Sequence, residues 1–96
     1  MKILILDEAE EDIVNGYRFY EQQSSGLGDY FLDSISSDID SLRFYAGIHV
    51  KHLGYYRQLS NRFPFAVYYR VENGLVRIRA VLDCRSNPEW IRERLK

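Results

Sequence analysis

Apolar residues alternate most densely over residues 62–71. Phe63, Phe65, Val67, Tyr69 and Val71 share one face at period two, and Pro64, Ala66, Tyr68 and Arg70 share the other. The aromatic and β-branched content predicts a strand with the first set as its core face and the second as a wetter face. Pro64 falls near the strand start, where a missing N–H is tolerated. Upstream, Ile3-Leu4-Ile5-Leu6 is a short apolar run bounded by Asp7, the pattern of a buried strand. Asp7 with Glu10 three residues on predicts a capping box, followed by a helix over about residues 8–23 whose face is Ala9, Ile13, Gly16, Tyr17 and Tyr20.

Ser24-Ser25-Gly26-Leu27-Gly28 breaks that pattern as a turn. Leu27, Phe31, Ile35, Ile39 and Leu42 then form the stripe of a second helix ending near Tyr45. Residues 46–54 read as a connector and 55–59 as a strand. Glu72-Asn73-Gly74 is a hairpin turn with Asn-Gly at the positions that need positive φ. In residues 75–83, Val76, Ile78, Ala80 and Leu82 face one way, and Arg77, Arg79, Val81 and Asp83 the other. Asn87 is an N-cap with Pro88 at the first helical position, opening a short helix over 89–95.

The order β-α-α-β-β-β-α predicts a two-layer α+β domain spanning residues 1–96. An N-terminal helical hairpin packs on a mainly antiparallel four-stranded sheet. The hairpin turns the chain twice, so the strand at 55–59 is expected antiparallel to the first. The face carrying Arg70, Arg77 and Arg79 is left uncovered unless the C-terminal helix folds over it.

Composition narrows the function class. Hydrophobic content of 46% with 28% charge is that of a water-soluble globular domain. Only four apolar residues follow Met1-Lys2, and no run approaches the ~20 residues of a membrane span, so no leader or membrane is expected and the address expected is cytoplasmic. One cysteine, Cys84, excludes an internal disulfide and a multi-cysteine zinc site. The net charge of −1 conceals a division: residues 1–45 carry three cations against ten acids, −7, and residues 46–96 carry ten against four, +6. The molecule is therefore dipolar, its second half either pairing with its acidic helices or offering cations to an anionic partner. Asp29, Asp33, Asp38 and Asp40 read as a solvated acidic surface.

No nucleophile elbow, phosphate loop or metalloprotease motif is present. His49 and His52 lie three apart but lack further ligands placed nearby, so no metal or other cofactor is expected. Cys84 beside Arg85 reads as a small buried residue. The informative set is Arg57, Arg70, Arg77, Arg79, Arg85 and Arg94 with Trp90, a candidate partner-binding surface, because arginine offers a planar fork to phosphate or carboxylate and stacks on aromatics. For Trp90 the simpler reading is an anchor of the terminal helix on the sheet.

The layout, Gly26-Leu27-Gly28 opening the second helix, Tyr56-Arg57 before Arg62-Phe63-Pro64-Phe65, Tyr69, Ala80-Val81-Leu82, and Arg85-x-x-Pro88-x-Trp90-x-x-x-Arg94 together resemble the RelE/ParE toxin superfamily over essentially the whole chain. The resemblance implies the toxin of a bacterial type II toxin–antitoxin (plasmid stabilisation) module, neutralised by a cognate antitoxin. It implies one of two activities: ribosome-dependent, metal-independent mRNA cleavage, as in RelE-like members, or binding and poisoning of DNA gyrase, as in ParE-like members.

Set against the RelE-like motif, the catalytic arginine of the third strand falls at Ala66, the second arginine at Arg85, and the C-terminal tyrosine near Ile91. The second-strand lysines fall near Tyr56 and Gln58. Arg85 is then the one retained candidate catalytic cation. That loss, with a pI of about 6.1, favours action by binding over mRNA cleavage. His49, His52, Tyr56 and Tyr68 remain as alternative proton carriers, and a degenerate, non-toxic module is the third reading.

Overall fold

The computed structural model describes residues 1–96. Its elements are β1 (Lys2–Ile5), α1 (Asp7–Gln23), α2 (Leu27–Tyr45), β2 (Lys51–His52), β3 (Tyr55–Leu59), β4 (Phe65–Glu72), β5 (Leu75–Asp83) and α3 (Pro88–Arg94). The sheet has five strands in the order β1-β5-β4-β3-β2, with β1 parallel to β5 and every other pair antiparallel. No helix is long and apolar enough to cross a membrane. The α+β architecture is the one the pattern predicts.

Three local expectations are corrected. The stretch 46–54 is not wholly a connector: Lys51 and His52 pair with Tyr56 and Tyr55. The turn between them sets Leu53 at φ 55 and Gly54 at φ 83, the left-handed pair of a tight hairpin. This extra reversal makes β3 run parallel to β1, not antiparallel; the short β2 holds the antiparallel direction instead. At the N-terminus Asp7 is the first helical residue rather than the cap, and Leu6 precedes it without a side-chain cap bond. The dense strand begins at Phe65, three residues after Arg62, although Phe63 is still buried in the core.

The helical hairpin is closed by α1 itself. The Glu21 carboxylate accepts from the Gly26 N–H at 3.1 Å and the Gly28 N–H at 3.0 Å, taking the role of the missing α2 cap. Gly16 lets the helices approach: a Cβ there would lie 2.5 Å from the Phe31 ring. Tyr20, Phe31, Phe63 and Phe65 then meet in tilted and edge-on pairs with centroids 4.8–6.2 Å apart.

Strand β5 departs from simple alternation. Tyr68 pairs with Ala80 and Tyr69 with Ile78, so Arg79 is an extra residue, a β-bulge. Before it, Val76 and Ile78 join the core under α1 and α2; after it, Val81 joins that core while Ala80 and Leu82 turn to the opposite face. The opposite face is therefore not wet along its length. Ala66, Tyr68, Ala80 and Leu82 form a second core with Ile91 and Leu95 of α3, and Ala66 is 0% exposed. Asn87 caps α3 through the Glu89 N–H at 2.8 Å, with Pro88 first in the helix as predicted.

Strand β1 pairs with β5 only as far as Ile78, where the Leu6 N–H bonds the Ile78 carbonyl at 3.1 Å. Beyond it the edge of β5 is closed by side chains. Asp12 on α1 accepts the Val81 N–H at 3.0 Å and both Arg94 guanidinium nitrogens at 2.7 and 2.8 Å. Arg79 bonds Glu8 of α1 and donates to the Arg94 carbonyl at 2.7 Å. Glu8 and Asp12 of α1 thus pair with arginines of the second half of the chain.

Two predictions follow from this frame. Asp12 is 9% exposed and Arg94 19%, so Asp12→Ala strands a largely buried guanidinium and a strand N–H. It is expected to cost about 3 kcal/mol and lower Tm by more than ~10 °C in a thermal melt; a loss of under about 1 kcal/mol contradicts the clamp. The second concerns the 46–50 loop. The Gly47 N–H donates to the Tyr69 hydroxyl at 3.0 Å, and His49 Nδ1 shares a hydrogen bond with the same hydroxyl. Burial lowers the His49 pKa from its ordinary 6.5. Below pH 6.5 the unfolded chain takes up a proton that the native state refuses, so this contribution is complete above that value and is lost as pH falls towards the native pKa. Urea titrations of wild type and His49→Gln at pH 7.5 and 5.5 are expected to show a larger acid loss in the wild type; equal losses contradict it.

Candidate functional site

The second sheet face is built in rows. His52, Tyr55, Arg70 and Arg77 follow one another across β2, β3, β4 and β5; Arg57, Tyr68 and Ala80 form the next row. Helix α3 roofs the end carrying Ala66 and Leu82, and the end carrying the arginines stays open. Helix α3 covers only the stretch of β5 beyond the bulge, so the opening lies at the end where β1 pairs with β5.

The seven predicted partner-binding residues do not form one surface. Arg79 and Arg94 belong to the clamp with Glu8 and Asp12. Arg85 lies in the turn after β5, 63% exposed, and forms a fork on Asp83 with bonds of 2.7 and 3.0 Å. That hydrogen-bonded pairing holds the Asp83 carboxyl below its ordinary range and drives the Arg85 pKa up. Trp90 is half-exposed on α3 with Arg94 5.6 Å from its ring, while Ile91 and Leu95 anchor the helix. Trp90 is not the anchor itself.

Arg57, Arg70 and Arg77 remain, and none has a carboxylate partner. Arg70 lies 4.2 Å from the centre of the Tyr55 ring and meets the Gly54 carbonyl at 3.4 Å. Arg70, Arg77 and Arg79 line a cavity of about 430 Å³ with Leu6, Tyr55 and Glu72. Arg57 stands between this opening and α3, its Nε enclosed without a hydrogen-bond acceptor. It lines a cavity of about 250 Å³ with His52, Tyr68, Cys84 and Arg92. Burial pushes the Tyr68 hydroxyl pKa up, while the Arg57 charge pulls against it. The open half thus presents three guanidinium groups without an ion-pair partner among two tyrosines, a histidine and the Glu72 carboxylate, a cationic excess suited to an anionic or acidic partner.

The positions matched to the RelE-like motif are placed differently from a catalytic cleft. Ala66 of β4 and Ile91 of α3 both lie in the core between the sheet and that helix. Gln58 faces α2 instead, donating to the Asp38 carbonyl at 2.8 Å. Tyr56 stacks on Tyr69 on the helical face. Sequence reasoning did not single out His52 as part of the arginine face; its placement depends on β2, two residues too short to register in periodicity.

No protein-family model matches the sequence, and no curated protein does. Among solved structures, the fold is similar to that of a chain from the chromosomal ParDE TA system of P. aeruginosa, with a TM-score of 0.71 and 18% identity over 84% of this chain and 92% of that one. The chain therefore has the fold of that ParDE component, the α+β architecture that the resemblance to the RelE/ParE superfamily implied.

Proposed function

We propose that this protein is the toxin of a type II toxin–antitoxin module, neutralised by a cognate antitoxin and acting by binding, with the open sheet face of Arg57, Arg70 and Arg77 as its contact surface. The observation that carries the reading is the division of the arginines. Four of the eight second-half arginines, Arg79, Arg85, Arg92 and Arg94, are paired with carboxylates within the chain; of the four that are not, Arg57, Arg70 and Arg77 share the open sheet face, where Glu72 also borders the opening without pairing with them, and Arg62 lies against Tyr30 of α2. A partner that supplies carboxylates or phosphates there gains bidentate bonds without first breaking internal ones. The shared fold with a ParDE chain supports the module assignment. The burial of Ala66 and Ile91 supports binding over RNA cleavage, since neither position presents a charge or proton-carrying group to a substrate. DNA gyrase is the first target to test.

A second reading has one observation in its favour. His52, Arg57 and Tyr68 line one cavity, where an imidazole as proton carrier and a guanidinium beside developing phosphorane charge would constitute metal-independent phosphodiester chemistry.

The test is induced expression with growth, RNA integrity and DNA integrity scored together, with and without the neighbouring gene. Wild type is expected to arrest growth with intact mRNA and to inhibit gyrase supercoiling. Arg57→Gln/Arg70→Gln/Arg77→Gln is expected to lose that arrest while keeping a Tm within a few degrees of wild type, because no internal ion pair is removed. Site-specific mRNA cuts abolished by His52→Ala establish the second reading. Absence of any growth effect from soluble protein contradicts both and leaves the degenerate module.

A further inference from the structure

The cavity between α3 and the sheet has a property that the neighbouring arginine opening lacks. Its polar walls come from separate parts of the fold: His52 of β2, Arg57 of β3, Tyr68 of β4, Ser86 of the turn after β5 and Arg92 of α3. No aspartate or glutamate lines it, whereas Glu72 borders the cavity of Arg70 and Arg77. Arg57 and Tyr68 are direct cross-strand partners. The His52 ring lies 6.4 Å from the Tyr68 ring, centre to centre.

Two side chains here are unsatisfied. Tyr68 is 2% exposed, yet its hydroxyl forms no hydrogen bond within the chain. That oxygen is not among the enclosed atoms, so it opens into the cavity that the residue lines. Arg57 makes no side-chain hydrogen bond either. Its Nε is enclosed, but its two terminal nitrogens are not, and they meet the same space. The Arg57 charge is close enough to the Tyr68 hydroxyl to oppose the rise that burial gives its pKa. The guanidinium and the hydroxyl therefore stand side by side. Arg92 is held only by Glu89 of its own helix, in an exposed pair that competes weakly for it.

A nearly buried hydroxyl beside an unpaired guanidinium calls for an acceptor, and the chain supplies none. The missing complement is an anion. One guanidinium fork satisfies a planar carboxylate. Here the donors converge from different elements, which suits the three terminal oxygens of a phosphate group, spread tetrahedrally. At about 250 Å³ the cavity falls below the ~300–1,000 Å³ of pockets that enclose whole small molecules, so it fits a phosphate head and not the molecule behind it. We propose that this cavity binds a phosphate group, as free phosphate or as the head of a phosphate monoester. Arg57 supplies the fork, the Tyr68 hydroxyl donates to a second oxygen, and Ser86, His52 and Arg92 stand at the rim as further donors. The site shares its cavity with the phosphodiester reading and needs none of that chemistry. Phosphate binding without RNA cleavage leaves the site standing while that reading fails.

The test reads binding alone and does not depend on toxicity. The probes are inorganic phosphate and methyl phosphate, with acetate and chloride as control anions, all at one ionic strength so that screening is constant. Amide chemical shifts of the full chain are followed by two-dimensional NMR. Saturable shifts centred on Arg57, Tyr68 and Ser86 with a phosphate, and not with the control ions, are expected. The tighter probe identifies the source as free phosphate or a monoester. Tyr68→Phe, which removes one oxygen and no charge, is expected to weaken binding roughly tenfold, through loss of a bond to a charged acceptor. Arg57→Gln is expected to weaken it by a larger factor; Tyr68→Phe decides if that variant does not fold. Arg43→Gln, the same change of charge on α2, is expected to leave the affinity unchanged. Equal affinity for acetate or chloride, shifts spread over all surface arginines, the absence of any saturable shift, or no change in affinity in Tyr68→Phe overturns the proposal.

Discussion

The fold depends on how the free length of β5 is closed. Strand β5 has nine residues and β1 only four, so β5 outruns its parallel neighbour after Ile78. An unpaired inner edge would leave strand N–H groups without acceptors, at a cost of ~1–3 kcal/mol each. Asp12 from one helical layer takes the Val81 N–H at that edge, as a longer β1 would have done, and Arg94 from the other layer holds Asp12 in place. The clamp also joins α3 to α1 around the sheet. This pairing uses up part of the charge asymmetry between the two halves of the chain.

The bulge at Arg79 works with the clamp. It turns Ala80 and Leu82 towards α3 while Val81 stays in the main core, so each face of the sheet acquires its own apolar cluster. It also brings Arg79 to Glu8 and to the last turn of α3. As a result α3 covers one end of its face and leaves Arg57, Arg70 and Arg77 in the open. Three of the arginines left over from internal pairing collect where no helix covers the sheet. The exposed charge therefore follows from the packing.

The elements with strong local signals were legible. The two helical stripes, the Asn73-Gly74 turn and the Asn87-Pro88 helix start depend on contacts or dihedrals within a few residues. Asn73 and Gly74 do adopt φ 51 and 76. The face of β4 bearing Phe63, Phe65, Val67 and Tyr69 was also legible, because period-two alternation is a local property. What misled was the assumption that alternation persists: one inserted residue at Arg79 reverses the face assignment downstream, and nothing in the residue types marks it. Strand β2 was missed because two residues carry no period, and with it the direction of β3 and the position of His52. Asp38 was misread as solvated: burial raises its pKa, and the groups that oppose the rise, Ser60 and Arg62, lie more than twenty positions away.

By itself the sequence determined the two long helices and their apolar faces, the Asn73-Gly74 turn, the start of α3 and the segregation of acids from arginines. Each is written in neighbours along the chain, where spacing, turn dihedrals and capping chemistry act. Only the tertiary structure decided which arginines are free. Arg79, Arg94, Arg70 and Arg77 look alike in sequence. The first two lie within reach of Glu8 and Asp12, some seventy to eighty positions distant, and the last two face an opening. A long-range ion pair is fixed by where two elements cross, and that crossing is set by packing of the whole core rather than by the residues that make the bond.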